Sequence, residues 1–184
     1  MLNDKITEML NNQINKEFFS WYLYLDISNY YANKNLDGFA NWFSIQAQEE
    51  YAHAQLFLKY LLNNGEKVKL LPIAAPESNF VDFKAPLSAA FEHELFITAS
   101  INEIYAEAYA QKDFKTMQFL DWFVKEQGEE EKNVDDLCKR FDLFGTDPHG
   151  LYLLDNELAS RIYTAPSLVI WCLTNYIKRI YFIF

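Results

Sequence analysis

Glycine and proline are scarce, five of each in 184 residues, about half the usual share of the two together. A chain so short of turn formers excludes a many-stranded sandwich or barrel. Basic residues are also in deficit. Sixteen Lys and Arg against 26 Asp and Glu leave a net charge of −10, so the attraction that nucleic acid or an anionic membrane would exert is absent. A polyanion of this size attracts cations. The two cysteines, Cys138 and Cys172, form neither a CxxC pair nor a disulfide framework, which points to a reducing cytoplasm. The opening Met1-Leu2-Asn3-Asp4-Lys5 has no apolar core of a secretory leader. A membrane span is not expected either. The uncharged run 162–177 ends after 16 residues at Lys178-Arg179, short of the ~20 a bilayer needs.

The remaining composition, 51% apolar and 23% charged, suits one folded domain of this length. The ten Gly and Pro residues leave clear stretches at 1–37, 39–64, 87–127 and 129–144. Such stretches suit helices, because inside one Gly costs about 1 kcal/mol and Pro about 3 kcal/mol. Helices are expected near 4–33, 38–63, 86–111 and 114–143, with a short fifth near 148–160. Gln111-Lys112-Asp113 divides the longest stretch, with Asp113 as an N-cap, and Pro86 and Pro148 open helices. Gly128 stands out as a glycine inside a helix. Short connections make the first and second helices, and the third and fourth, antiparallel hairpins. The long link 65–85, with Pro72 and Pro76, can cross the whole bundle and set the second and third helices parallel. The expected fold is all-α: a four-helix up-down bundle with one long crossover and a short fifth helix.

Placed at 100° per residue, each bundle helix shows an apolar stripe interrupted by a polar group. On the first, Leu10, Ile14, Trp21, Tyr24 and Leu25 surround Glu17. On the second, Phe39, Phe43, Phe57 and Leu61 surround Glu50 and His53. On the third, Leu87, Ala90, Phe91, Ile97, Ile101 and Tyr105 surround Glu94. On the fourth, Leu120, Phe123, Val124, Val134, Cys138 and Phe141 surround Gln127, with Glu130 on the flank. Thirty-three residues separate Glu17 from Glu50, and the same number Glu94 from Gln127. The helix pairs therefore repeat, as Glu…Glu-x-x-His and Glu…Gln-x-x-Glu, and i, i+3 spacing puts both members on one face. Four buried carboxylates repel one another and are costly to desolvate. Cations would resolve that conflict, as in dinuclear carboxylate sites of helical bundles. His93 points about 100° from Glu94 and is expected at the surface, and His149 carries no signal. The further aromatics Tyr30, Tyr31, Phe80 and Phe83 suggest apolar surface left over for subunit interfaces.

At these residues the chain resembles bacterial non-haem ferritin. Gln48-Glu49-Glu50-Tyr51-Ala52-His53 resembles the family's second-helix signature, and Glu126-Gln127-Gly128-Glu129-Glu130-Glu131-Lys132 its fourth-helix signature. Gly150-Leu151-Tyr152 through Glu157-Leu158 is similar to its fifth helix. The likeness spans 1–165 as one ferritin-like di-iron domain, and leaves 166–184 as an apolar tail of no assigned role. It implies iron storage with ferroxidase activity in a hollow cytoplasmic cage of about 24 identical subunits, with Fe(II) and O2 or H2O2 as partners. It also implies Glu17, Glu50 and His53 at a first iron, and Glu94 and Glu130 at a second bridged by Glu50, with Gln127 orienting oxidant or water. Glu49, Glu126 and Glu129, with Glu130, match the family's third iron site. Tyr24 and Trp122 match aromatics that supply electrons.

No haem is expected, because Gln127-x-x-Glu130 replaces a second Glu-x-x-His and Tyr51 stands where the haem-binding branch has methionine. Two other readings of the same residues are a cage that binds Zn(II) or Mn(II) without turnover, and a di-iron oxygenase acting on an organic substrate.

Overall fold

The computed structural model describes residues 2–76 and 79–170. The described residues form five helices and no strand: α1 Asp4–Ala32, α2 Asp37–Asn63, α3 Ala85–Ala110, α4 Phe114–Phe144 and α5 Pro148–Leu158. Each expected helix is present, with ends within two residues of the sequence reading. Caps explain the boundaries. The Asp113 side chain accepts from Thr116 N at the start of α4, and Asp147 accepts from Gly150 N at the start of α5, satisfying donors that a helix start leaves orphaned. Lys112 takes φ 58° in the tight α3–α4 turn.

Helix α1 runs antiparallel to both α2 and α3. Lys5 pairs with Glu107 at one end at 2.5 Å, and Tyr31 OH donates to Phe83 O at the other at 2.6 Å. Across the bundle α2 opposes α4, with Tyr60 beside Thr116 at 2.9 Å and Phe39 edge-on to Phe141. The crossover travels along α1. Asn11 accepts from Lys69 N at 2.7 Å, Asn15 donates to Pro72 O at 3.2 Å, and Tyr30 OH donates to Asp82 O at 3.1 Å. These side chains satisfy backbone that has no secondary structure of its own. Helix α5 closes one end, where Asp155 Oδ1 accepts from Gly38 N at 2.8 Å and Phe39 N at 3.0 Å. It caps α2 from a distance, since Leu36 has no capping side chain. A Cβ on Gly38 would lie 1.6 Å from Asp155 O, so this approach requires glycine.

Two apolar clusters fill the bundle. One holds Tyr24, Ile27, Tyr31, Phe39, Phe43, Leu87 and Phe141. The other holds Leu10, Ile14, Phe57, Leu61, Ile97, Ile101, Leu120 and Phe123. On every bundle helix the residues between them in sequence are the buried polar ones: Glu17, Glu50 with His53, Glu94, and Gln127 with Glu130. The acidic layer lies between two hydrophobic plugs that exclude water from above and below.

Several expectations are corrected. Val124 is exposed, because Phe123 and Gln127 take the inward direction and Val124 sits 100° round the helix. Trp21, Leu25, Phe91, Tyr105 and Cys138 are half-buried flanks of their stripes. Tyr30, Phe80 and Phe83 pack within the subunit and Tyr31 is fully buried, all against the crossover end of the core. Of the four, Tyr31 is withdrawn from any interface, and the other three keep part of their surface exposed. His93 is half-buried, where Ser20 Oγ meets its Nε2 at 2.7 Å and the Tyr24 ring meets it edge-on. No described helix is long and apolar enough to cross a membrane. The first residues of the tail lie against the bundle, with Leu168 and Ile170 on the second cluster. Cys172 and the apolar stretch 171–184 lie outside the described residues.

Candidate metal centre

The i, i+3 and 33-residue spacings converge. Ligand atoms of Glu17 on α1 and of Glu50 and His53 on α2 lie within 4.8 Å of one another, all three residues buried. His53 Nδ1 sits 3.5 Å from Glu50 Oε2. A second group of the same dimensions joins His53 to Glu126 and Glu130 of α4. From α3, Glu94 faces the same layer, where it accepts from Tyr24 OH and, at 3.1 Å, from Gln127 Nε2. Gln127 also donates to Thr98 Oγ1 at 3.3 Å.

Two glutamines extend the layer. Gln13 Nε2 donates to Glu17 Oε1 at 2.7 Å, and its Oε1 accepts from Ser100 Oγ at 2.5 Å. Gln46 Nε2 reaches Glu130 Oε2 at 2.6 Å and Glu50 Oε1 at 3.4 Å, tying two carboxylates from different helices. Neither was among the sequence candidates, yet both were legible. Each lies four residues before its carboxylate, one helical turn away on the same face, and they are 33 residues apart like Glu17 and Glu50.

Burial pushes the Glu17, Glu50 and Glu130 carboxyls well above the ordinary range, and neighbouring carboxylates push them further. Glu94 is raised too, against the pull of Tyr24 and Gln127. Burial, then the Glu94 charge, pushes the Tyr24 phenol up. His93, with no charge partner, is lowered by burial to about 4. Glu17 Oε2 is buried with no hydrogen-bond partner. A carboxylate oxygen orphaned in this way costs about 1–3 kcal/mol. An oxygen- and imidazole-rich donor set with that vacant lone pair fits a hard or borderline divalent cation.

The residues matched to a third site are divided. Glu126 is half-buried and joins His53 and Glu130, and burial raises its carboxyl. Glu129 is exposed and pairs with Lys125 at 3.0 Å. Glu49 receives Arg161 at 2.6 Å, a partner that the sequence did not suggest. All of them nevertheless line one cavity of about 300 Å³, together with Trp122 and residues 164–167. The Trp122 ring meets His53 edge-on at 5.5 Å, and its Nε1 donates to Ser167 Oγ at 2.9 Å.

The ferritin-like domain model matches residues 7–144. A bacterial non-heme ferritin of Campylobacter jejuni is 37% identical over 158 residues, covering 86% of this chain and 95% of that protein. A probable bacterial non-heme ferritin-like protein of Haemophilus influenzae is 34% identical over 160 residues, covering 87% and 97%. Among solved structures, an open-pore ferritin from the hyperthermophilic archaeon Archaeoglobus fulgidus matches with a TM-score of 0.86 at 38% identity, covering 88% of this chain and all of that one. The chain belongs to the ferritin family, in its bacterial non-haem branch.

Proposed function

We propose that this chain is an iron-storage subunit that oxidises Fe(II) at its buried carboxylate layer, iron being both substrate and cargo. Glu17, Glu50 and His53 take one Fe(II), Glu94 and Glu130 take a second, and Glu50 bridges the two. Hard anionic oxygens favour Fe(III) over Fe(II), which drives electron loss. Two Fe(II) ions give one electron each to one O2, and two protons complete hydrogen peroxide. With peroxide as oxidant, the same two electrons and two protons give two waters. The two protons come from solvent water, since carboxyls that burial leaves protonated give theirs up when the cation binds.

Gln127 orients oxidant or water, and Tyr24, hydrogen-bonded to Glu94, gives one electron which, with one from a third Fe(II) and two protons, takes the peroxide to two waters. The cavity with Glu49, Glu126, Glu129 and Glu130 receives iron at a third position. Tyr51 is exposed on α2 and offers no thioether, so the reading includes no haem. Storage requires a cage, in our reading about 24 subunits in the cytoplasm.

What carries this proposal is the unpartnered Glu17 Oε2, buried among three other converging carboxylates. Anaerobic loading with two Fe(II) per subunit, followed by an oxygen pulse, should consume about one O2 per pair. Light scattering on the same sample should give the mass of a cage. Tight metal binding with no oxygen uptake would reduce the protein to a passive binder.

A further inference from the structure

The segment after α5 crosses the acidic cavity, and its first charged residue points into it. The Arg161 carbonyl accepts from Asn41 Nδ2 at 3.1 Å, which fixes the backbone. Its guanidinium lies over the Trp42 ring, 4.4 Å from the centroid. One terminal nitrogen donates to Trp42 O at 3.2 Å and Gln46 Oε1 at 2.9 Å, and the other to Glu49 Oε2 at 2.6 Å. Both partners of the ion pair are largely buried, with side chains 21% and 17% exposed. Gln46, held by its carbonyl, turns its amide onto Glu130. Arg161 thus grips two carboxylates of the cavity, Glu49 directly and Glu130 through Gln46. Residues 167–170 anchor the far end of the strap, through Ser167 on Trp122 and Leu168 and Ile170 on the core.

We infer that Arg161 is a tethered cation that holds Glu49 against iron, so that a third metal ion enters the cavity only by displacing it. The inference rests on the proposed function and adds a regulator to it. A planar guanidinium satisfies a carboxylate much as a metal ion does, and it cannot be deprotonated away. Its positive charge also opposes a divalent ion at His53, Glu126 and Glu130. The first two ions rest mainly on Glu17, Glu50, His53 and Glu94, none of which Arg161 touches, and share only Glu130, which it reaches at one remove through Gln46. The third site is therefore the weak one and fills when the dinuclear pair is already saturated. Coupling is reciprocal: an ion that takes Glu49 must also free the strap.

The probe is Zn(II), redox-inert and of similar ligand preference, titrated calorimetrically into the full-length assembled protein. Wild type should bind two ions tightly and one weakly. Arg161→Gln should tighten the third by about tenfold or more and shift the first two far less, while Arg161→Lys, which keeps the charge but neither the fork nor the stacking on Trp42, should fall between the two. Hydrogen exchange at 161–166 in wild type should quicken only as the third equivalent binds. A third ion bound equally or less tightly by Arg161→Gln, or exchange unmoved by it, overturns the inference while leaving the dinuclear reading intact. A wild type that binds all three ions equally also overturns it. If wild type binds no metal, both fall.

Discussion

On α1 and α2, Glu17, Glu50 and His53 converge with ligand atoms within 4.8 Å, and one buried carboxylate oxygen has no partner. On α3 and α4, at the equivalent register, Glu94 is already held by Tyr24 and Gln127, and Glu130 by Gln46. The first pair is left incomplete without a cation, whereas the second is satisfied by protein donors. Gln127, which stands on α4 where the repeat has Glu50 on α2, makes this difference, since an amide donates a hydrogen bond to Glu94 where a carboxylate could only accept. The two metal positions should therefore differ in affinity, with the α1–α2 position filling first.

The largest test removes the distinguishing ligand of the first pair. His53→Ala should weaken the first ion by at least about a hundredfold, more than loss of an outer partner costs, while leaving an ion at Glu94 and Glu130 measurable by calorimetry. Equal loss at both positions would mean the pairs do not act separately.

Tyr24→Phe should make the second pair resemble the first. Glu94 then loses its phenol donor, so metal-free stability should fall by about 1–3 kcal/mol and the second ion should bind several-fold more tightly. Thermal melts and Zn(II) titration report the two halves. Unchanged binding would show that the Tyr24 hydrogen bond does not hold Glu94 back from the metal.

Acidity offers a third test. The unfolded chain ionises its glutamates near the ordinary 4.5, whereas Glu17, Glu50, Glu94 and Glu130 hold protons above it in the fold. Stability from these groups is full below that value and is lost as pH rises through their raised values. His93 works in the opposite sense, because its lowered value costs stability as pH falls below 6.5, but it is one group against four. The metal-free melting point should drop as pH rises above about 5. Saturating Zn(II) should abolish the drop and release protons on binding. A metal-free melting point that rises over that range would contradict a repelling cluster.

The smallest expected effect is at Gly128, beside Gln127 in the second pair. A Cβ there meets nothing within 4 Å, so Gly128→Ala should stabilise by about 0.5–1 kcal/mol without altering oxidation. Slowed oxidation would show that looseness in α4 serves the second position.

The repeat was legible because helical geometry converts spacing into direction: Glu17, Glu50, His53, Glu94 and Gln127 were placed inward from periodicity alone. Glu130 was assigned to the flank and is 4% exposed, drawn in by Gln46. His93 and Val124 departed from the reading because a 100° offset leaves burial to whatever packs alongside, which no single helix reveals. Arg161 was illegible for a different reason. It follows α5, has no periodic pattern, and meets Glu49 across 112 residues of chain.

The central claim is that the buried carboxylate layer oxidises iron in pairs, with Glu50 the residue common to both positions. Stopped-flow oxidation of two Fe(II) per subunit by O2, wild type against Glu50→Gln, tests it most directly. The account predicts that the variant assembles, melts no lower than wild type without metal because one repelling carboxylate is gone, and loses the fast paired oxidation. Paired oxidation by Glu50→Gln at the wild-type rate would contradict it.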